Sequence, residues 1–175
     1  MSILRQVVSC LDGYDPDALP VDKAGAAIRA CLTPVTETET VAIRDSLGRV
    51  LAQEIVPRIN VPGHDNSAMD GWAVRSTDLS FSQDVLLKQI GTAFAGRAFQ
   101  GKVEAGECVR VMTGAVMPQG ADSVVVQEVC RAEGERIAIP AGQKTGQNVR
   151  AAGEDLKAGV AVLRPGQPVR AADLG

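Results

Sequence analysis

Val61-Pro62-Gly63-His64-Asp65-Asn66-Ser67-Ala68-Met69-Asp70-Gly71-Trp72-Ala73-Val74 packs two glycines, a proline, two aspartates, an asparagine and a serine into one bend. It then runs straight into an apolar, strand-like segment. Two readings compete at Asp70-Gly71. Asp-Gly pairs are a strong signal for a tight hairpin turn, and Asp65-Asn66-Ser67 can be an Asx-turn whose side chains bond the local backbone. Alternatively, successive N–H groups and carboxylates face a pocket. In that case the aspartates suit a magnesium ion bridging to an anionic ligand, because Mg²⁺ takes oxygen ligands and keeps several waters.

A second dense patch is Gly146-Gln147-Asn148-Val149-Arg150-Ala151-Ala152-Gly153-Glu154-Asp155. Its glycines permit close backbone approach, and Arg150 can fork onto a phosphate or another oxyanion. The plainer alternative is a solvated loop with an exposed ion pair. Met112-Thr113-Gly114-Ala115 follows a strand-like run; Thr113 either donates to a ligand oxygen or caps the turn. His64 is the only histidine, so a Ser-His-Asp or Cys-His device would have to use it. No phosphate-binding G-x-x-x-x-G-K-[ST], dinucleotide G-x-G-x-x-G after a strand, or H-E-x-x-H occurs. On residue chemistry alone, the chain is a β-rich domain with an anion or metal site.

The rest of the chain frames that site. Its 175 residues are 45% apolar and 22% charged, enough for a real core and against wholesale disorder. Only five aromatic residues (Tyr14, Trp72, Phe81, Phe94, Phe99) and a net charge of −3 argue against nucleic acid as a partner. No apolar run is long enough for a membrane helix, so a soluble, cytoplasmic protein is expected. The cysteines (Cys10, Cys31, Cys108, Cys130) form no C-x-x-C pair and are expected to be free thiols.

Residues 1–20 read as a loose lead-in. Val21, Ala24, Ile28, Cys31 and Leu32 share a helical face that Pro34 terminates. A short helix over Ser46–Ala52, capped by Asp45, is expected next. Strands follow at Ala73-Val74, Asp84–Ile90, Cys108–Met112, Ser123–Gln127, Arg136–Ile139 and Ala161–Leu163, with residues 91–101 as a glycine-punctuated connection. Such closely spaced strands favour mixed or antiparallel pairing. Ala171-Ala172-Asp173-Leu174 reads as the opening of a helix.

Residues 62–74 resemble the N-terminal signature of the molybdopterin molybdenumtransferases, the MoeA/gephyrin type family of molybdenum cofactor biosynthesis. Leu47-Gly48-Arg49-Val50-Leu51-Ala52, Arg110-Val111-Met112-Thr113-Gly114-Ala115, Gly120-Ala121-Asp122-Ser123-Val124-Val125, Gly146-Gln147-Asn148-Val149-Arg150 and Gly153-Glu154-Asp155 agree with that family in the right order. The resemblance covers the chain from about residue 20 onward. It implies a mainly β fold with N-terminal helices (α+β): an elongated arm (residues 1–57 and 147–175, for dimerisation) and a small β-rich, barrel-like lid (58–146).

It also implies an enzyme that inserts molybdate into adenylated molybdopterin with release of AMP, using a divalent metal, here Mg²⁺. The active cleft of such enzymes lies between the subunits of a homodimer, and the molybdopterin adenylyltransferase is a further partner. Asp70 and Asp155 carry over as catalytic carboxylates and metal ligands, and Ser67, Thr113 and Arg150 as substrate-binding residues. His64 departs from the aromatic residue usual there, so no required chemistry is assigned to it. The family's later pterin-binding and molybdate-binding α/β domain has no counterpart in these residues, so the chain is expected to be an N-terminal part that is inactive alone. The rival expectation is a non-catalytic dimerisation or scaffold module.

Overall fold

The computed structural model describes residues 21–174, which divide between two units, one holding the described residues up to Leu47 with Leu174 and the other Gly48–Asp173. In the first, helix α1 (Val21–Cys31) follows the expected 3.6-residue spacing and ends just before Pro34. It buries none of its residues, and Val21 and Ile28 are 85% and 61% exposed. The expected lead-in over residues 1–20 lies outside the described residues.

The second unit holds eight strands: β1 (Asn66–Ser67), β2 (Gly71–Val74), β3 (Val85–Ala93), β4 (Glu107–Val111), β5 (Ser123–Val126), β6 (Arg131–Glu133), β7 (Arg136–Ile139) and β8 (Val149–Arg150). Six form one sheet in the order β5-β2-β4-β3-β7-β6, and β1 pairs with β8 apart from it. Only β3–β4 is parallel, so the pairing is mixed, as the close strand spacing led one to expect.

Alternation assigns the two faces of this sheet. Trp72, Val74, Leu87, Cys108, Val125, Ile137 and Ile139 form one apolar cluster. Ala73, Ala93, Val103, Val109, Val111, Ala115 and Val124 form the other. Val109, Val111, Val124 and Val125 are fully buried, each worth about 1.5–3 kcal/mol of transfer from water. Cys108 lies in the first cluster and Cys130 packs against it; burial pushes their thiols up to about 12 and about 11. Among the described cysteines, Cys31, Cys108 and Cys130 are free.

Several expectations need correction. Strand β3 does not stop at Ile90. A bulge between Gln89 and Gly91 shifts the register, so that Ala93 lands on the face opposite Leu87. A Cβ on Gly91 would lie 2.4 Å from the Phe99 ring, so any larger residue there would have to displace that ring. No helix forms over Ser46–Ala52. A 3₁₀ turn occupies Ile43–Asp45 instead, and Gly48 takes φ +76°, which breaks a helix. Gly48 N–H then donates to the Val169 carbonyl. The strand expected at Ala161–Leu163 shrinks to one bridge, Leu163 with Ile55. Together with Val50–Pro168 and Val61–Leu156, that bridge marks an irregular antiparallel ribbon leading toward the β1–β8 pair. The helical opening expected at residues 171–174 is a 3₁₀ turn, Ala171–Asp173.

Candidate active site

Asp70 is not the corner of a hairpin. The strand before it, β1, pairs with β8, and the strand after it, β2, pairs with β4 and β5. Gly71 answers to close approach: a Cβ there would sit 2.1 Å from the Val125 carbonyl oxygen. The bend is laced to distant segments. Ser67 N–H donates to the Ala115 carbonyl at 2.9 Å, Gly114 N–H to the Ser67 carbonyl at 2.8 Å, and Ala68 N–H to the Asn148 carbonyl at 2.9 Å. Asn148 holds φ 57° while its side-chain amide donates to the Val124 carbonyl. Asp65 accepts the Ala152 N–H at 2.7 Å, tying the bend to the second dense patch.

These bonds bring Asp70 and Thr113 into direct contact. Thr113 donates twice to Asp70 Oδ1, from its N–H at 2.7 Å and from its hydroxyl at 2.8 Å. The backbone bond first, then the hydroxyl, hold the Asp70 carboxyl below its ordinary 3.8, with Arg110 contributing a smaller effect in the same direction against desolvation. Because the folded value lies below the unfolded one, the carboxylate's contribution to stability is complete above pH 3.8. It is lost as pH falls through the folded value. Thr113→Val removes the hydroxyl donor, so Asp70 should titrate closer to 3.8 and lose less stability in acid. A carboxyl-detected NMR titration reads this, and an unchanged titration would assign the hydroxyl no part.

The other expected site residues are placed differently. Ser67 is 1% exposed and its hydroxyl donates to the Met69 carbonyl, shaping the turn. Arg150, opposite Asn66 in the β1–β8 register, donates from one nitrogen to both Asp155 oxygens at 2.7 Å and from Nε to Glu154 at 3.2 Å. Asp155 and then Glu154 raise the Arg150 pKa above its ordinary value. Asp70 and Asp155 therefore engage separate partners. His64 is exposed.

Among the described residues, no three His, Cys, Asp or Glu side chains gather in a way that could hold a metal. The Asp70 carboxylate fits a more modest role. Both Thr113 bonds fall on Oδ1, and Oδ2 makes no hydrogen bond among the described residues, so it is a hard oxygen of the kind a Mg²⁺ ion would accept.

Sequence reasoning overlooked the residues behind Asp70. Arg110 lies over the Trp72 ring, 4.5 Å from its centroid, and donates to the Gln127 side chain. Gln127 N–H in turn donates to the Asp70 carbonyl. The signal was an arginine in Cys108-Val109-Arg110-Val111, whose other three side chains are buried.

Residues 19–175 match the family described as MoeA N-terminal region (domain I and II). The chain is 41% identical over 149 residues to the molybdopterin molybdenumtransferase of Haemophilus influenzae, covering 85% of this chain and 36% of that protein. Against the Bacillus subtilis molybdopterin molybdenumtransferase it is 36% identical over 159 residues, covering 86% and 36%. The chain thus spans little more than a third of the length of these curated relatives. Its fold is similar to the crystal structure of the molybdopterin biosynthesis MoeA protein of Pyrococcus horikoshii OT3. That match has TM-score 0.74 and 36% identity over 80% of this chain and 37% of that one. With a family match running from residue 19 to residue 175, the chain belongs to the MoeA N-terminal region family.

Proposed function

We propose that the chain is the N-terminal part of a molybdopterin molybdenumtransferase, which transfers molybdenum from molybdate to adenylated molybdopterin with release of AMP. The observation that carries this reading is the Asp70 carboxylate, gripped on one oxygen by Thr113 and kept ionised, inside the signature stretch of the family. In this reading the Asp70 carboxylate would face the substrate's phosphates only through a bound cation. Mg²⁺, when bound, offsets phosphate charge. Asp70 would be the residue to hold that ion, whereas both Asp155 oxygens are engaged by Arg150. Arg150 remains a candidate contact for substrate phosphate, with Glu154 and Asp155 as its resting partners.

The division into an arm (1–57 and 147–175) and a lid (58–146) is part of the proposal, as are a cytoplasmic homodimer and an interaction with the molybdopterin adenylyltransferase. The antiparallel bridges Val50–Pro168 and Ile55–Leu163 support the pairing of the two arm segments. Exposed Val50, Ile59 and Val160 (64%, 71% and 51%) support a surface covered by a second copy. No described helix is long and apolar enough to cross a membrane.

AMP release from adenylated molybdopterin tests the function. The full-length protein should release AMP when molybdate and Mg²⁺ are both present, and the 175 residues alone should not. A full-length protein that dimerises without turnover would favour the scaffold module, which draws on the same exposed apolar residues.

A further inference from the structure

We propose that Arg110 is the positioning residue of the Asp70 carboxylate, acting through Trp72 and Gln127 from the strand that also leads to Thr113. Arg110 and Trp72 face each other in the β4–β2 register, and the guanidinium lies on the indole face, 4.5 Å from the ring centroid. Indole Nε1–H donates to Gln89 Oε1 on β3 at 3.0 Å, which fixes the ring at its edge. The guanidinium donates to Gln127 Oε1, and Gln127 N–H donates to the Asp70 carbonyl at 3.1 Å. One strand segment thus grips Asp70 at both ends: Thr113 holds the carboxylate, and Arg110, through Gln127, holds the backbone.

Arg110 is suited to this in a way Lys is not. Its planar fork can stack on Trp72 and donate to Gln127 at once, whereas an ammonium is a compact, strongly hydrated point charge. Arg110 Nε is buried without a hydrogen-bond partner among the described residues. This leaves the ring face and Gln127 as the contacts that fix the side chain. The charged and titratable groups around it are Asp70, whose carboxyl Thr113 and then Arg110 lower, and Cys130, whose burial-raised thiol Arg110 opposes.

This inference rests on the reading of Asp70 as the functional carboxylate, but its test does not use turnover. In the 175-residue chain, amide exchange at residue 127 reports the bond to the Asp70 carbonyl, and exchange at Thr113 reports its bond to the Asp70 carboxylate. Arg110→Met should speed Gln127 exchange about tenfold, the equivalent of losing one hydrogen bond. It should also speed Thr113 exchange, because the carboxylate that accepts the Thr113 N–H loses its fixed backbone. Arg110→Lys should restore neither. Gln127→Met, which removes the acceptor while leaving Arg110 in place, should reproduce the faster exchange and so covers the case in which Arg110→Met fails to fold. Wild-type exchange at both positions in every folded variant, or full rescue by lysine, would overturn the assignment. Failure of AMP release by the full-length enzyme would instead strike at the function of Asp70 and leave the positioning result standing.

Discussion

Asp70→Asn in the full-length protein should lower AMP release by about 100-fold to 1,000-fold, the range seen when one preorganised electrostatic contact to a transition state is lost. The substitution is nearly isosteric. The amide oxygen can still accept both Thr113 bonds, so the bend, its lacing to Ala115 and Asn148, and the strand behind it remain in place. What disappears is the charge and the second acceptor oxygen. Loss of turnover with the fold retained, and only a small fall in the urea midpoint as the Thr113 bonds lose their charged acceptor, is therefore the expected pair of results. Wild-type turnover would remove Asp70 from the chemistry, and a collapsed fold would assign it to structure. Asp155→Asn should also impair metal-dependent turnover. It should disturb stability little, since the pair it breaks is exposed and such pairs are worth about 0–1 kcal/mol.

Gly71→Ala should be the most destabilising small substitution near the site. Strand β2 lies between β5 and β4, and the added Cβ would meet the Val125 carbonyl oxygen at 2.1 Å and its carbon at 2.9 Å. These are backbone atoms of a buried strand and cannot swing aside. Overpacking of a close-packed interior usually costs about 1–3 kcal/mol, and the backbone nature of this clash places the expected loss at about 3 kcal/mol or more. The displacement falls one residue from Asp70, so turnover should drop with stability. Gly134→Ala is the matched control. Its φ is +65°, but nothing lies within 4 Å of the added carbon, so its cost should stay near about 1 kcal/mol. Urea midpoints with unchanged slopes would read both, and equal effects would discount the close approach at Gly71.

The parts of the fold legible in the sequence are those whose pattern is local. Val109, Val111, Val124, Val125, Ile137 and Ile139 sit in short β-branched runs bounded by turn residues, and all six are buried in strands. The end of β3 escaped because its bulge inverts the alternation, so that Gly91-Thr92-Ala93 reads as a loop. The ribbon from Val50 to Val61 escaped for another reason. Its partners lie some hundred residues away, its pairing is by isolated bridges, and several of its apolar side chains stay exposed. Leu47 and Leu51 carried a helical spacing that Gly48 overrode with its positive φ.

The site divides in the same way. Asp70 and Thr113 stand out as polar residues in dense, glycine-punctuated stretches, yet their direct bond spans 43 residues and is a property of the folded sheet. Asp155 was equally visible, and the plainer reading of its patch, an exposed ion pair, is the one found, with Arg150 bonded to both Asp155 oxygens. Arg110 is the converse case. Its motif was visible, while its contacts with Trp72 and Gln127 depend on the β4–β2 register and on the turn after β5.

A crystal of the full-length protein with adenylated molybdopterin and Mn²⁺ in place of Mg²⁺, read by the manganese anomalous signal, puts the central claim to its most direct test. The account predicts Asp70 Oδ1 still bonded to Thr113, with Oδ2 in the coordination shell of the ion beside the substrate's phosphates. An ion and phosphates held entirely by other side chains, with Asp70 remote from both, would contradict it.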